Sequence, residues 1–336
     1  MAGDYLGIAP KSVLSGAFDG NVPAEGRHKT DSGSSAATTI GTVTEDDEVR
    51  PQLDVDEYTR GILAPGRMFA VVDFDRYPAP PELDGLVEWF WSVRWDLPAG
   101  EQHRQRVLSS PAVNVSVGLA PPPGNAPPPG PYPLAAMLNG VTTDVTVRTL
   151  SGRGWNFAAK TTTGGFGAWV DDVHALNNTH LPLSQILAVD DAALSVRVAD
   201  APFGADRRGP IAHELVRLLA VRPSARIERA REVAAVAAAA EHDRSIRTVD
   251  QLARLGGITP RTLQRMFLSC AGVSPTWVIR RFRLIEAAER VRDGQDPDWA
   301  GLAADLGYAD QAHLTRHFTA TIGMSPGAYA AGNRPE

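Results

Sequence analysis

Cysteine is nearly absent from this sequence. Of 336 residues only Cys270 is a cysteine, so an internal disulfide and a cysteine metal cluster are both excluded. A reducing compartment is the expectation. No apolar run approaches the ~20 residues that cross a bilayer. The longest candidate, Val233 to Ala240, is short and alanine-rich. No apolar h-region follows Met1, so a secretory signal is not expected, and the chain is read as cytoplasmic with no membrane partner. Lysine is missing from residues 241–336, which hold 12 Arg against 11 Asp and Glu for a net +1, leaving −7 on residues 1–240. A charge of +1 permits nucleic-acid binding without demonstrating it.

Complete catalytic and phosphate-loop motifs are also missing. Neither Gly152-Arg-Gly154 nor Gly164-Gly165-Phe-Gly167 completes a dinucleotide or P-loop pattern, and both read as turns. No nucleophile elbow and no H-E-x-x-H helix occurs. His313 and His317 stand at i, i+4, yet no third ligand follows at suitable spacing. His103, His174 and His180, with Asp171 and Asp172, keep a hydrolytic or metal site open as a minor alternative. Cys270 falls on an apolar helix face, where packing is the expected role. No cofactor, no metal and no enzymatic activity are expected.

What is present divides the chain in four. Residues 1–62 read as a tail, because the segment 29–48 is small, polar and acidic at its end and cannot bury enough apolar surface to order itself. Residues 63–205 read as β-rich. Met68–Phe74, Val87–Trp95, Val107–Val117, Val141–Leu150 and Trp155–Ala159 are strand-like runs. Strand alternation puts Trp89, Trp91 and Trp95 on one face, as core or as a ligand cage. Residues 120–133 hold eight prolines and read as a surface loop. Leu181–Leu187 and Asp191–Val198 read as short helices. Residues 206–240 read as a helical linker, with helices at His213–Leu219 and Ile227–Ala240, and residues 241–336 as an all-helical domain.

The last 90 residues contain a repeat. Leu263-Gln-Arg265-Met-Phe267 with Gly272-Val-Ser274-Pro275 returns as Leu314-Thr-Arg316-His-Phe318 with Gly323-Met-Ser325-Pro326, offset by 51. Upstream, Leu252-Ala253 and Gly257 return as Leu302-Ala303 and Gly307, offset by 50, so the second copy holds one extra residue near Ala309. Each copy spells helix, glycine turn, helix. Thr248 and Gln251 form a capping box, Thr259-Pro260 caps the next helix, and Leu263, Met266, Phe267 and Cys270 mark its buried face. A second helix of this kind can enter a major groove, where Arg suits guanine and Gln suits adenine. The side chains expected to meet DNA are Arg261, Thr262, Gln264 and Arg265 in the first unit and Gln311, His313, Thr315 and Arg316 in the second. A long helix from Ser274-Pro275, with Val278, Phe282, Ile285 and Ala288 on its apolar face, would join the units and let one chain read two successive grooves.

Residues 245–330 resemble the DNA-binding domain of the AraC/XylS family of bacterial transcription regulators. The stretch Gly307-Tyr308-Ala-Asp310-Gln311-Ala-His313-Leu314-Thr-Arg316-His-Phe318, then Gly323-Met-Ser325-Pro326 and Tyr329, looks like that family's signature. Leu314 stands where Phe is common and Ala330 where Arg often follows Tyr. Residues 66–205 resemble, more weakly, the regulatory domain of one group of these proteins, through PELDGLVEWFWSVRWDLPAG and TTTGGFGAWV. Thr161 and Thr163 replace that group's usual Phe-x-Pro. The resemblance implies a multidomain α and β protein: a β-rich N-terminal domain, cupin-like or α+β, and an all-α C-terminal domain of two helix-turn-helix units joined by a long helix. It implies a sequence-specific transcription regulator that binds double-stranded DNA, responds to an effector not named by the sequence, dimerises with itself and has RNA polymerase as a candidate partner. The competing class is an enzyme or DNA-modifying domain fused to the same module; an alkyl-transfer version would need a catalytic cysteine.

Overall fold

The computed structural model describes residues 60–119, 133–292 and 298–332. The polar segment 29–48 and the proline-rich stretch, apart from Pro133, lie outside the described residues. The described chain opens with β1 (Ile62–Leu63), α1 (Pro65–Phe69) and β2 (Val72–Pro78), followed by β3 (Val87–Asp96), β4 (Gln102–Val107), β5 (Asn114–Gly118), β6 (Ala135–Asn139), β7 (Thr146–Ser151), β8 (Arg153–Thr161) and β9 (His180–Pro182). A six-stranded antiparallel sheet runs in the order β2-β3-β8-β5-β6-β9, and a three-stranded one in the order β1-β4-β7. The helical part follows.

Four expectations for the β-rich part are corrected. The run Met68–Phe74 is not one strand: Pro65 presets a helical first turn, Met68 buries under it, and the strand starts at Val72. The run Val107–Val117 is mostly not strand at its start: it holds the last residue of β4, a loop over 108–113 through Pro111, which cannot donate to a ladder, and then β5. Only the end of Val141–Leu150 is strand, β7. The region read as a helix at Leu181–Leu187 is β9 and a single 3-10 turn, Leu183–Gln185. Strand β6 was not expected at all.

The two faces of the large sheet differ. One carries Phe90, Phe157, Val115, Val117 and Leu138, all buried, and packs under the helices. Register puts Trp89, Trp91, Asn114, Ser116, Asn139 and His180 on the other face. That face is hydrogen-bonded within itself. Trp91 Nε1 donates to Asn114 Oδ1 at 3.1 Å, and Asn139 Nδ2 donates to Ser116 Oγ at 3.1 Å. Arg148, from the small sheet, reaches Asn139 Oδ1 at 3.2 Å. The Trp89 ring makes two cation–π contacts, with Arg76 at 4.1 Å and Lys160 at 3.9 Å from its centroid. Trp95 is buried core over Gly154, where a Cβ would strike its ring.

His180 Nδ1 lies 2.7 Å from Asn139 Oδ1. Burial, and then the Arg148 charge, lower its pKa to about 4. A folded-state pKa below the unfolded one contributes stability above pH ~6.5 that is lost as pH falls toward 4. Urea midpoints at pH 7 and pH 5 should therefore drop more for the native chain than for His180→Gln. Equal drops would remove His180 from the acid sensitivity.

After β9 come α2 (Asp191–Asp200), α3 (Arg208–Leu219), α4 (Ser224–His242), α5 (Val249–Leu255), α6 (Pro260–Ala271), α7 (Pro275–Arg292), α8 (Trp299–Asp305), α9 (Gln311–Ile322) and α10 (Pro326–Gly332). One apolar cluster runs without a break from Phe90 and Phe157 of the sheet, through Trp169 and Val233, to Leu252, Phe267 and Phe282. A second holds α7 to α10 around Leu284, Leu302, Leu314, Phe318 and Ile322, and takes in Leu63 and Leu108. Among the described residues no helix is long and apolar enough to cross a membrane.

Candidate nucleic-acid interface

The helix pairs α5–α6 and α8–α9 are built alike. Each has a first helix of 7 residues and a second of 12. Thr248 caps α5 with the full capping box expected from Gln251, and Asp298 caps α8. Thr259 caps α6 and Asp310 caps α9, each side chain accepting from the backbone N–H three residues on. Between the helices, Gly257 and Gly307 take φ values of 63° and 75°, where a side chain would be strained. The turns close the same way: Ile258 N–H donates to Ala253 O at 3.0 Å, and Tyr308 N–H to Ala303 O at 2.8 Å. The turn spans 256–259 in the first unit and 306–310 in the second, which locates the extra residue of the repeat. After each second helix a glycine at positive φ, Gly272 or Gly323, leads to a serine, Ser274 or Ser325, whose hydroxyl caps the next helix.

The second helix of each pair buries one stripe. In α6 this is Leu263, Phe267 and Cys270; in α9 it is Leu314, Phe318 and Ile322. Arg261, Gln264 and Arg265 are exposed and Thr262 is half-buried against Thr259 Oγ1 at 3.0 Å. Gln311 and Arg316 are exposed; His313 and Thr315 are half-buried. Among the described residues no protein partner engages the side chains of Arg261, Gln264, Arg265, Gln311 or Arg316. His313 stands edge-on to Tyr308, 5.3 Å between ring centroids. Sequence reasoning missed Leu268. It is 42% exposed and shares its helix face with Arg261, Gln264 and Arg265 at i, i+3, i+4, i+7 spacing. The periodicity could have shown it, since it falls off the buried stripe.

The units are joined and held. Helix α7 has 18 residues, about 27 Å at 1.5 Å per residue. The β-rich part supplies the end of α6 with hydrogen bonds. Val173 N–H donates to Ser269 O at 2.9 Å, and His174 Nδ1 and Asn177 Nδ2 donate to Gly272 O at 2.7 Å each. Gly167 lies so close to Cys270 that an added Cβ would meet its Cα and Cβ at 2.7–2.8 Å. The Cys270 thiol is buried there and its pKa is raised by desolvation, the opposite of a reactive thiolate.

The histidines read as alternative ligands are dispersed into other roles. His103 meets Gln105, His174 caps α6, His180 meets Asn139, and His317 shares a 2.7 Å hydrogen bond with the Tyr308 hydroxyl. Among the described residues no three His, Cys, Asp or Glu side chains gather as a metal site. Thr161, where the resembled group has Phe, is buried and pairs its hydroxyl with both the N–H and the carbonyl of Val113, tying β8 to the loop before β5.

Comparison with known proteins meets this geometry at both ends. Residues 252–332 match a family described as a helix-turn-helix domain, and residues 75–182 one described as a domain of unknown function, DUF6597. A putative AraC-like transcription regulator of Streptomyces antibioticus is 32% identical over 82 residues. Residues 252–332 form an AraC-type helix-turn-helix domain. That curated relative is matched over 27% of its length and 24% of this chain. Among solved structures, a probable AraC family regulator from Rhodopseudomonas palustris is 26% identical, covering 31% of this chain and 98% of its own at a TM-score of 0.29. ToxT of Vibrio cholerae, bound to (E)-4-(8-methylnaphthalen-1-yl)but-3-enoic acid, is 10% identical and covers 79% of this chain and 100% of its own at a TM-score of 0.37. All eight residues expected to meet DNA, from Arg261 to Arg316, lie within residues 252–332.

Proposed function

We propose that the chain is a sequence-specific DNA-binding transcription regulator whose α6 and α9 lie in successive major grooves of one duplex. The observation that carries this reading is the duplicated helix pair with unpaired Arg and Gln side chains on equivalent faces. Arg261, Thr262, Gln264 and Arg265 read one half of the operator, and Gln311, His313, Thr315 and Arg316 the other. Leu268 adds an apolar contact of the kind that suits a thymine methyl. Residues 63–205 act as the regulatory and dimerisation domain, residues 206–240 connect it, and residues 241–336 bind DNA, in the cytoplasm.

Selection of bound sequences from a random duplex pool by the full chain tests the reading. The full chain is needed because residues 173–177 cap α6. The expected result is a conserved site with two determinants, bound about a thousandfold or more above random duplex, as specific regulators are. No enrichment over the starting pool would overturn it. Sedimentation should show a homodimer at micromolar concentration.

A further inference from the structure

A cavity of about 230 Å³ opens between the loop at Thr143, the start of α7 and the back of α9. Helix α9 contributes His317 and Thr321 to it, and neither Gln311 nor Arg316 is part of its lining. Two guanidinium groups dominate it. Arg281 is 3% exposed, and its Nη1 has no hydrogen-bond partner among the described residues. Its Nη2 donates to the Thr143 carbonyl and, at 3.5 Å, to that of Thr142, while its plane rests on Trp277, 4.5 Å from the ring centroid. Burial lowers its pKa to about 10, which still leaves it a cation at neutral pH. Arg280 stands exposed at the mouth, with no ion pair among the described residues.

The rest of the lining has the same sign or can donate. Ser274 caps α7, so the positive end of an 18-residue helix faces the space. Thr143, Thr276 and Thr321 bring hydroxyls. His317 feels Arg280 and Arg281 as positive charges that, after burial, lower its pKa. Among the described residues no carboxylate lines the cavity; the acid acting on Arg281 from nearby is Asp144. A buried cation with an empty donor is costly unless it is paired. The cavity is smaller than a drug-sized pocket and fits a small group.

We propose that this cavity holds one oxyanion, a phosphate-type group gripped by Arg280 and Arg281 against the α7 N-terminus. Its occupant bridges the β-rich part, through the Thr143 loop, to α9 of the second helix-turn-helix unit. Occupancy therefore couples the two parts of the chain. The group is either a free phosphate-bearing small molecule or a backbone phosphate of bound DNA, and the chemistry of the clamp is the same for both.

The test uses the full chain without DNA. Its thermal midpoint is followed as inorganic phosphate replaces chloride at constant ionic strength, for the native chain and for Arg280→Gln, whose exposed side chain leaves the fold intact. A saturable rise that weakens about tenfold or more in Arg280→Gln, the loss of one charge-assisted hydrogen bond, supports the free-anion source. A second arm measures binding to duplex DNA across salt concentrations. If Arg280→Gln weakens binding equally on all sequences and lowers the salt slope by about 1, the source is a DNA phosphate. Arg281→Met should reproduce whichever loss is seen. A native chain with no saturable phosphate response, together with an Arg280→Gln variant unchanged in DNA affinity and salt slope, overturns the proposal. The phosphate arm reads the cavity without DNA, so it stands or falls apart from the regulator reading.

Discussion

Replacing Arg283 by alanine should destabilise the chain by about 3–5 kcal/mol, the range for removing one member of a buried charged network. Arg283 is 2% exposed although it sits in the basic run Arg280–Arg281–Phe282–Arg283. Its Nη2 reaches the carbonyls of Ala240 at 3.0 Å, Asp243 at 2.8 Å and Ile246 at 3.3 Å. These are the end of α4 and the turn leading into α5, so one side chain closes the chain's entry into the first helix-turn-helix unit. Glu286, shared with Arg244 and Arg290, balances its charge at 3.7 Å. Arg283→Met fills the volume but strands the buried carbonyls of Ala240 and Ile246, at about 1–3 kcal/mol for each group left unpaired, while the Asp243 carbonyl keeps the Ile246 N–H at 3.2 Å. Both variants should therefore lower the urea midpoint. A Met variant as stable as the native chain would mean that the carbonyls find other partners, and a loss under about 1 kcal/mol in the alanine variant would remove Arg283 from the framework.

The second large effect is on DNA. Arg265→Ala should cost about 1–3 kcal/mol on the selected site, roughly 5- to 150-fold in Kd, and relax sequence preference in one half only; Arg316→Ala should do the same in the other half. Combined with Gln264→Ala and Gln311→Ala, the losses fall within two helices that do not share a partner, so they should add across units. Each variant should keep the native urea midpoint, because these side chains have no protein partner among the described residues. An arginine that contacts phosphate instead would weaken all sequences equally and shallow the salt dependence. Native affinity in all four single variants would place the helices outside the groove.

The helical part was legible because its signals are local. Thr248 with Gln251, Thr259 with Pro260, and Gly257 each act within one turn of chain, and the structure uses each where the sequence puts it. The shift in repeat offset from 50 to 51 fixed the longer second turn. The β-rich part was harder. Leu108, Val113 and Val141 are as buried as strand residues, but they lie in loops, and only long-range bonds such as Thr161 to Val113 separate the two cases. Strand β6, Ala135–Asn139, holds no β-branched residue, and its two neighbours in the sheet, β5 and β9, make it a strand. Arg281 and Arg283 look like solvated helix charges in the sequence. Their burial follows from carbonyls and an aromatic ring contributed by distant segments or the preceding turn, which no helical period encodes.

One measurement tests most directly the claim that a single chain reads two grooves. It is hydroxyl-radical footprinting of the full chain on its selected duplex, repeated with Arg265→Ala and Arg316→Ala. For each bound chain the account predicts two protected patches on one side of the duplex, about 10 base pairs apart, one helical turn. Arg265→Ala should erase one patch and Arg316→Ala the other. A single patch per chain, lost with either variant alone or with neither, would contradict it.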